Sequence, residues 1–358
     1  MGALTRIAVV FTGGTISMVV DPVVGGAVPT LDGAAILART TGLARIADVV
    51  AVDRGLLPAS HFTFPLLLEL ADAIRSLVED PSIDGVVVVQ GTDTIEETGL
   101  LVELLVDTVK PIVLTGAMRP ASDPDGDGPS NLRDAVRCAA SAELRGAGVV
   151  VVLAGTIEPA DDVAKRHATA RETFGSPNTG RLGRVTDGTV VLERLRGARR
   201  PVLEVAAAAE PIPIVTATVA MDGAVLDALA GLRPAGIVVA ATGAGNTSAD
   251  LLVAGKRAMA TGIPVVLVSR CPAGAAGVGY AFPGGGATWV QAGALLAGTL
   301  TAPKARIALS LGLGAGLNGG ALGAFLAGPG REAASVEVPA GGGSHPDREA
   351  NPDPGARA

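Results

Sequence analysis

Val86-Val87-Val88-Val89-Gln90-Gly91-Thr92-Asp93-Thr94 decides how this chain reads. The four valines stand between Gly85 and Gly91 as an unbroken apolar run, the pattern of a strand buried on both faces at the centre of a parallel sheet. From residue 95 to 108 apolar residues recur at helical spacing. The hydroxyls of Thr92 and Thr94 and the carboxylate of Asp93 are therefore expected at a strand's carboxyl end, just ahead of a helix. Open α/β sheets bind ligands at that edge. Capping the helix would account for one such group; three in succession point to a site. A second apolar run, Ile7-Ala8-Val9-Val10-Phe11, ends the same way, in Thr12-Gly13-Gly14-Thr15. Its glycines permit positive φ and close backbone approach, so Thr15 stands on a tight turn. The turn matches neither a phosphate loop nor the dinucleotide fingerprint Gly-x-Gly-x-x-Gly. What remains is a hydroxyl on a strained turn.

Strand-like runs at 7–11, 49–52, 86–90, 112–114 and 149–153 alternate with helix-like runs at 34–43, 65–78, 95–108 and 131–144. That alternation predicts crossover units around a parallel sheet. It breaks between 194 and 213, where basic residues, Pro201, an alanine run and Pro211-Ile212-Pro213 read as a linker. The basic run from Arg194 to Arg200 is read there as a solvated connection. Beyond it the alternation resumes on a smaller scale: strands at 214–219, 236–240 and 264–269, helices at 225–231 and 248–261, and a closing helix at 302–311. The expected fold is α/β with two domains. A larger N-terminal domain (1–195) has a parallel, flavodoxin-like sheet with flanking helices, a linker spans 196–213, and a smaller C-terminal α/β domain spans 214–327. Residues 328–358, rich in Gly, Pro, Ala and charge, are expected to form a mobile tail.

The 358 residues include 48% hydrophobic but only 2% aromatic side chains, so the core must be aliphatic. A net charge of −7 argues against a nucleic-acid surface, which needs clustered Lys and Arg. Cys138 and Cys271 read as reduced thiols, interior or adjacent to a site, and not as a disulfide. His61, His167 and His345 lack metal-ligand spacing, and no metal or organic cofactor is expected. With no signal-peptide pattern ahead of the first strand and no apolar span of membrane length, the expected location is cytoplasmic, without membrane association.

The two threonine motifs, Thr12-Gly13-Gly14-Thr15-Ile16 and Gly91-Thr92-Asp93-Thr94, occur with further matches. These are Thr115-Gly116-Ala117-Met118-Arg119-Pro120, Asp127-Gly128-Pro129-Ser130-Asn131-Leu132, Asp162-Val163-Ala164-Lys165 and Pro303-Lys304-Ala305-Arg306. Together, from about residue 6 to 313, they resemble the bacterial-type L-asparaginases and glutaminase-asparaginases. The resemblance implies catalytic roles for Thr15 (nucleophile forming an acyl-enzyme), Thr92 and Lys165 (activation of a hydroxyl or water) and Asp93 (orientation of the lysine and binding of the substrate α-ammonium). It implies substrate-binding roles for Ser60, Thr92, Asp93, the backbone of Ala117, and Asn246, which reaches into a neighbouring subunit's site. A homodimer or homotetramer follows, acting on a small amide, L-asparagine or also L-glutamine.

The residues are consistent with that chemistry. Amide hydrolysis needs a nucleophile, a group to take its proton, and donors for the oxyanion. No Gly-x-Ser-x-Gly elbow is present, whereas a lysine amine can take a proton through a bridging threonine. Two features depart from the family. The loop 19–28 lacks the tyrosine that commonly closes over the substrate, Tyr280 being the only tyrosine, although its glycines suit a mobile lid. No acidic residue from a second subunit is evident around 274–280. The rival readings are a glutaminase or other amidase of the same family, and a non-catalytic amino-acid sensor, against which retention of Thr15, Thr92, Asp93 and Lys165 speaks.

Overall fold

The structure, a computed structural model, describes residues 4–329. The N-terminal part contains β1 (Arg6–Phe11), the hairpin β2 (Met18–Asp21) and β3 (Gly26–Pro29), α1 (Gly33–Arg39), β4 (Asp48–Asp53), α2 (Phe64–Glu79), β5 (Gly85–Val89) and α3 (Ile95–Leu105). It continues with β6 (Ile112–Thr115), α4 (Gly128–Ala139), β7 (Val149–Leu153), β8 (Thr156–Pro159), β9 (Ala164–Lys165), β10 (Phe174–Gly175), β11 (Gly183–Thr186) and β12 (Thr189–Leu192). One eight-stranded sheet runs β12-β11-β8-β7-β6-β5-β1-β4. Its strands from β4 to β7 are parallel. Taken in chain order, those five lie as 2-1-3-4-5, the flavodoxin-like order, so the topological switch point falls between β1 and β5.

The valine run explains why β5 sits at the centre. All five of its residues are buried, and alternate side chains serve opposite faces. Val86 and Val88 pack with Leu67, Ile74, Leu100 and Leu104 of α2 and α3. Val87 and Val89 pack with Phe11, Leu132, Ala135 and Val136, under α4. Both layers are aliphatic, as the scarcity of aromatics requires.

The C-terminal part contains β13 (Ile214–Thr216), α5 (Ala224–Gly231), β14 (Ile237–Ala241), α6 (Ala249–Ala260), β15 (Val265–Ser269), α7 (Gly286–Gln291), β16 (Leu295–Leu296), α8 (Ala302–Gly314) and α9 (Gly319–Ala327). Its four strands form a separate parallel sheet in the order β13-β14-β15-β16. The mixed α/β fold with a larger and a smaller sheet is thus as the alternation predicts.

Four features differ from the reading of the sequence. The main sheet extends through β8, β11 and β12, all antiparallel; β12 is half-exposed and only four residues long, too short and amphipathic to stand out from coil. The segment after Thr15, expected as a mobile lid loop, is the paired hairpin β2–β3, tied to the loop after β6 by Ala121 N–H donating to the Met18 carbonyl at 2.8 Å. The helix expected at 302–311 does not close the domain, since α9 follows, and α8 shares one apolar cluster with strands β14 and β15 and with helix α3. The basic run is only partly solvated: Leu195, Gly197 and Ala198 are exposed, but its arginines turn to partners in the protein. The Arg196 side chain is 7% exposed and pairs at 3.0 Å with both Glu103 and Asp161, while Arg200 donates to the Phe325 and Leu326 carbonyls. Acceptors contributed by distant parts of the chain hold these arginines, carboxylates for Arg196 and backbone carbonyls for Arg200, which no local pattern reveals. Of the expected mobile tail, residues 330–358 lie outside the described residues.

Candidate active site

Both threonine motifs emerge at the switch point. Thr12 donates its backbone N–H and its hydroxyl to the Val89 carbonyl, each at 3.0 Å, which fastens the end of β1 to the end of β5. Gly13 and Gly14 then take φ of 107° and 90°. A Cβ on Gly14 would stand less than 3.0 Å from the backbone of Gly91, and one on Gly13 equally close to that of Leu56 and Leu57. Glycine is thus required twice, once for dihedral and once for space. The next residue, Thr15, opens a single 3₁₀ turn and is half-buried; its hydroxyl forms no hydrogen bond to the rest of the group described below.

Thr92, Asp93 and Lys165 form one hydrogen-bonded group. The Lys165 ammonium donates to Thr92 Oγ1 at 2.9 Å and to Asp93 Oδ1 at 2.6 Å. Thr92 is buried, whereas the Asp93 side chain is 74% exposed, so the group is floored by protein and open above. Thr92 also donates weakly to Met118 Sδ at 3.4 Å. Met118 is held in turn from α4: its N–H and that of Arg119 donate to the Asp127 carboxylate. Asn131 donates to the Gly116 carbonyl at 3.0 Å and accepts from Ala154 N–H at 3.0 Å. The Asp127–Asn131 motif is therefore a clamp that shapes the loop carrying Ala117, whose buried side chain lies in the floor.

Lys165 is held by its backbone as well. Its N–H donates to Glu96 Oε2 at 2.8 Å, one turn beyond Thr92 on the same connection into α3. Burial pushes the Glu96 carboxyl above its ordinary range, against the pull of Lys304, of this N–H and of the Lys165 charge. Glu97 is raised too, by burial and then by Glu96.

The remaining sequence candidates, Ser60 and Asn246, form no hydrogen bond with this group. Ser60 is exposed beside the buried Ala59, whose carbonyl accepts from the Thr94 hydroxyl at 3.1 Å. Asn246 lies in the C-terminal part, on a turn closed by Thr242; its Oδ1 is buried without a partner. Cys138 is interior, its thiol pushed up by burial, while Cys271 is exposed and so not interior. A cavity of about 350 Å³ borders Ile16, Ile36, Arg39 and Gly128 on the far side of the Thr15 turn, and another of about 210 Å³ borders Ser60, Thr94, Glu97 and Arg306. Neither is lined by Thr15, Thr92, Asp93 or Lys165. Sequence reasoning assigned no role to Glu96, Asp127, Asn131 or Lys304. Three of these lie in motifs already singled out, but only the fold shows what they touch.

A two-domain α/β chain with a hydroxyl–ammonium–carboxylate group at its switch point has the composition of an amide-hydrolysing enzyme. The family follows from comparison with known proteins: residues 6–196 match the family "Asparaginase, N-terminal" and residues 212–324 the "Glutaminase/Asparaginase C-terminal domain", and the chain belongs to the asparaginase family. It is 36% identical over 314 residues to a probable L-asparaginase of Deinococcus radiodurans, covering 86% of this chain and 92% of that one. It is 30% identical over 279 residues to a glutaminase-asparaginase of Pseudomonas aeruginosa, covering 76% and 77%. The crystal structure of a probable cytoplasmic L-asparaginase from Campylobacter jejuni superposes with a TM-score of 0.78 at 29% identity, covering 90% of this chain and 99% of that one.

Proposed function

We propose that this chain is an L-asparagine amidohydrolase that releases L-aspartate and ammonia through a threonine acyl-enzyme. One observation carries the reading: a single lysine ammonium reaches both Thr92 Oγ1 and Asp93 Oδ1 where the Thr15 turn abuts Gly91. In this reading Thr15 Oγ attacks the side-chain amide carbon, its proton is taken up and delivered to the amide nitrogen, and the C–N bond breaks to release ammonia, so that an ester remains. Water then adds to the ester and regenerates the threonine. The contact between Thr92 Oγ1 and Lys165 Nζ is the path along which the proton of the attacking group is passed. Asp93, exposed above the floor, is suited to an α-ammonium group, and the Ser60 region and the Ala117 backbone to the rest of the substrate.

The functional unit in this reading is a homodimer or homotetramer in the cytoplasm. The openness of the site above Asp93, whose side chain is 74% exposed, agrees with completion by a second copy. No described helix is long and apolar enough to cross a membrane. The test is ammonia release from asparagine and glutamine by purified protein. Turnover of asparagine is expected; release from glutamine alone would make the chain a glutaminase, and binding without release would make it a sensor. Sedimentation of the active species tests the assembly, and a fully active monomer would contradict it.

A further inference from the structure

The catalytic lysine sits on a weak support. Strand β9 is two residues long and pairs only with the two residues of β10, too little ladder to fix a side chain unaided. The turn leading into it, from Ala160 to Val163, is held from the other domain. Lys304 on α8 is 1% exposed, and its ammonium donates to the Ala160 carbonyl at 2.8 Å and to the Val163 carbonyl. These are the two ends of the turn, and Val163 is two residues from Lys165.

A buried ammonium is costly unless fully partnered. Burial lowers Lys304 to about 8, while Glu96, Asp161 and Asp162 act in the opposite direction. Charged or neutral, the amine retains at least two N–H donors for two carbonyls, so the tether does not depend on protonation. On the opposite side the Lys165 N–H is taken by Glu96. Asp161 is paired with Arg196, and Asp162 accepts from Asn178 and Thr179. The turn is therefore gripped on every side, and Lys304 is the grip that comes from the C-terminal domain.

We propose that Lys304 is a positioning residue for the reaction: from the C-terminal domain it fixes the turn that aims Lys165 at Thr92 and Asp93. The proposal rests on the hydrolase reading above. Lys304→Met keeps the aliphatic stem and removes the donors, and Lys304→Gln returns N–H donors on a shorter, uncharged stem. The measurements are kcat and KM for asparagine, with unfolding midpoints and the folded fraction of each preparation. The expected order of kcat is wild type, then Gln, then Met. Met should fall about ten- to hundredfold, the scale of an ångström-level misplacement, with KM within about threefold. A role confined to joining the domains would lower the unfolding midpoints and leave kcat per folded site unchanged, and that result overturns the proposal, as does a rise in KM with kcat intact. Should Lys304→Met not fold, Lys304→Gln carries the test, and there a loss of kcat at constant KM supports the proposal while unchanged kcat per folded site refutes it. A wild-type protein that releases no ammonia would instead remove the hydrolase reading itself, before any variant is compared.

Discussion

Gly14→Ala is the substitution on which the geometry of the site speaks most directly. Gly14 has φ 90° and ψ −175°, a region essentially closed to residues with a Cβ, at a cost of about 1–3 kcal/mol. The new methyl would also fall less than 3.0 Å from Gly91 N and Cα, and backbone atoms cannot swing away as a side-chain tip can. Forcing atoms into a filled site adds about 1–3 kcal/mol, for a total of about 4 kcal/mol. Gly25 is the internal control. It has φ 73° with nothing within 4 Å of its Cβ position, so Gly25→Ala carries only the left-handed strain of about 1–2 kcal/mol. Stability alone does not separate Thr15 from Thr92, but the direction of the clash does. Relief comes by parting the two motif backbones by on the order of an ångström, which should lower turnover about a hundredfold. Urea unfolding followed by circular dichroism measures the first effect and ammonia release from asparagine the second. Failure of Gly14→Ala to fold while Gly25→Ala folds would agree with the larger penalty. Equal stability of the two variants, with wild-type turnover in Gly14→Ala, would refute the claim that the motifs meet backbone to backbone.

Thr92→Val and Lys165→Met should each lower kcat by about three orders of magnitude, and the double variant by little more, because members of one relay act as a unit; multiplicative losses in stopped-time ammonia assays would show that they act separately. Arg196→Met removes the nearer cation from the Glu103 carboxylate, 2% exposed, and leaves it the Val149 N–H and Arg199 at 3.8 Å, so it should destabilise by about 3 kcal/mol in urea unfolding. Arg196→Met with Glu103→Leu should recover much of that loss, and a fully additive double variant would contradict the pairing. Lys304 supplies a pH effect whose sign is fixed. Its ordinary value of 10.5 falls to about 8 on burial, so between those values the unfolded chain holds a proton that the folded chain has lost. Stability therefore rises with pH across that window, by about 3 kcal/mol in all at roughly 1.4 kcal/mol per unit. The difference in unfolding free energy between wild type and Lys304→Met should grow by that amount from pH 8 to 10.5, and a flat difference would overturn the assignment.

The fold was legible wherever the chain is buried on two faces. Val86–Val89 and Ile7–Phe11 have no polar face to present, so an apolar run specifies a central strand, and the residues just after each run are those at the switch point. The threonine motifs could be read for the same reason. The antiparallel edge was not legible, since β12 alternates exposed and half-buried residues over a single short pass. Lys165 was found only through the resemblance of its neighbours, because nothing in Asp162-Val163-Ala164-Lys165 signals that the ammonium turns back to an aspartate 72 residues earlier.

Long basic side chains mark the physical limit of such a reading. Arg196 and Lys304 look alike in sequence to any solvated Arg or Lys, since their stems are flexible and their charges favour water. What buries them is the convergence of acceptors from separate elements: Glu103 of α3 with Asp161 for the arginine, the Ala160 and Val163 carbonyls for the lysine. Both sets meet at the turn 160–163, the arginine at Asp161 and the lysine at the residues on either side. The arginine follows β12 and meets carboxylates of the first domain, whereas the lysine comes from the second, so the lysine's contacts exist only once the two domains have met. The lysine turn thus takes its shape from docking of the domains, whereas Thr15, Thr92 and Asp93 take theirs from the N-terminal sheet alone. Substitutions at the domain interface should accordingly disturb the chemistry done by Lys165 before they disturb the pocket built on β1 and β5.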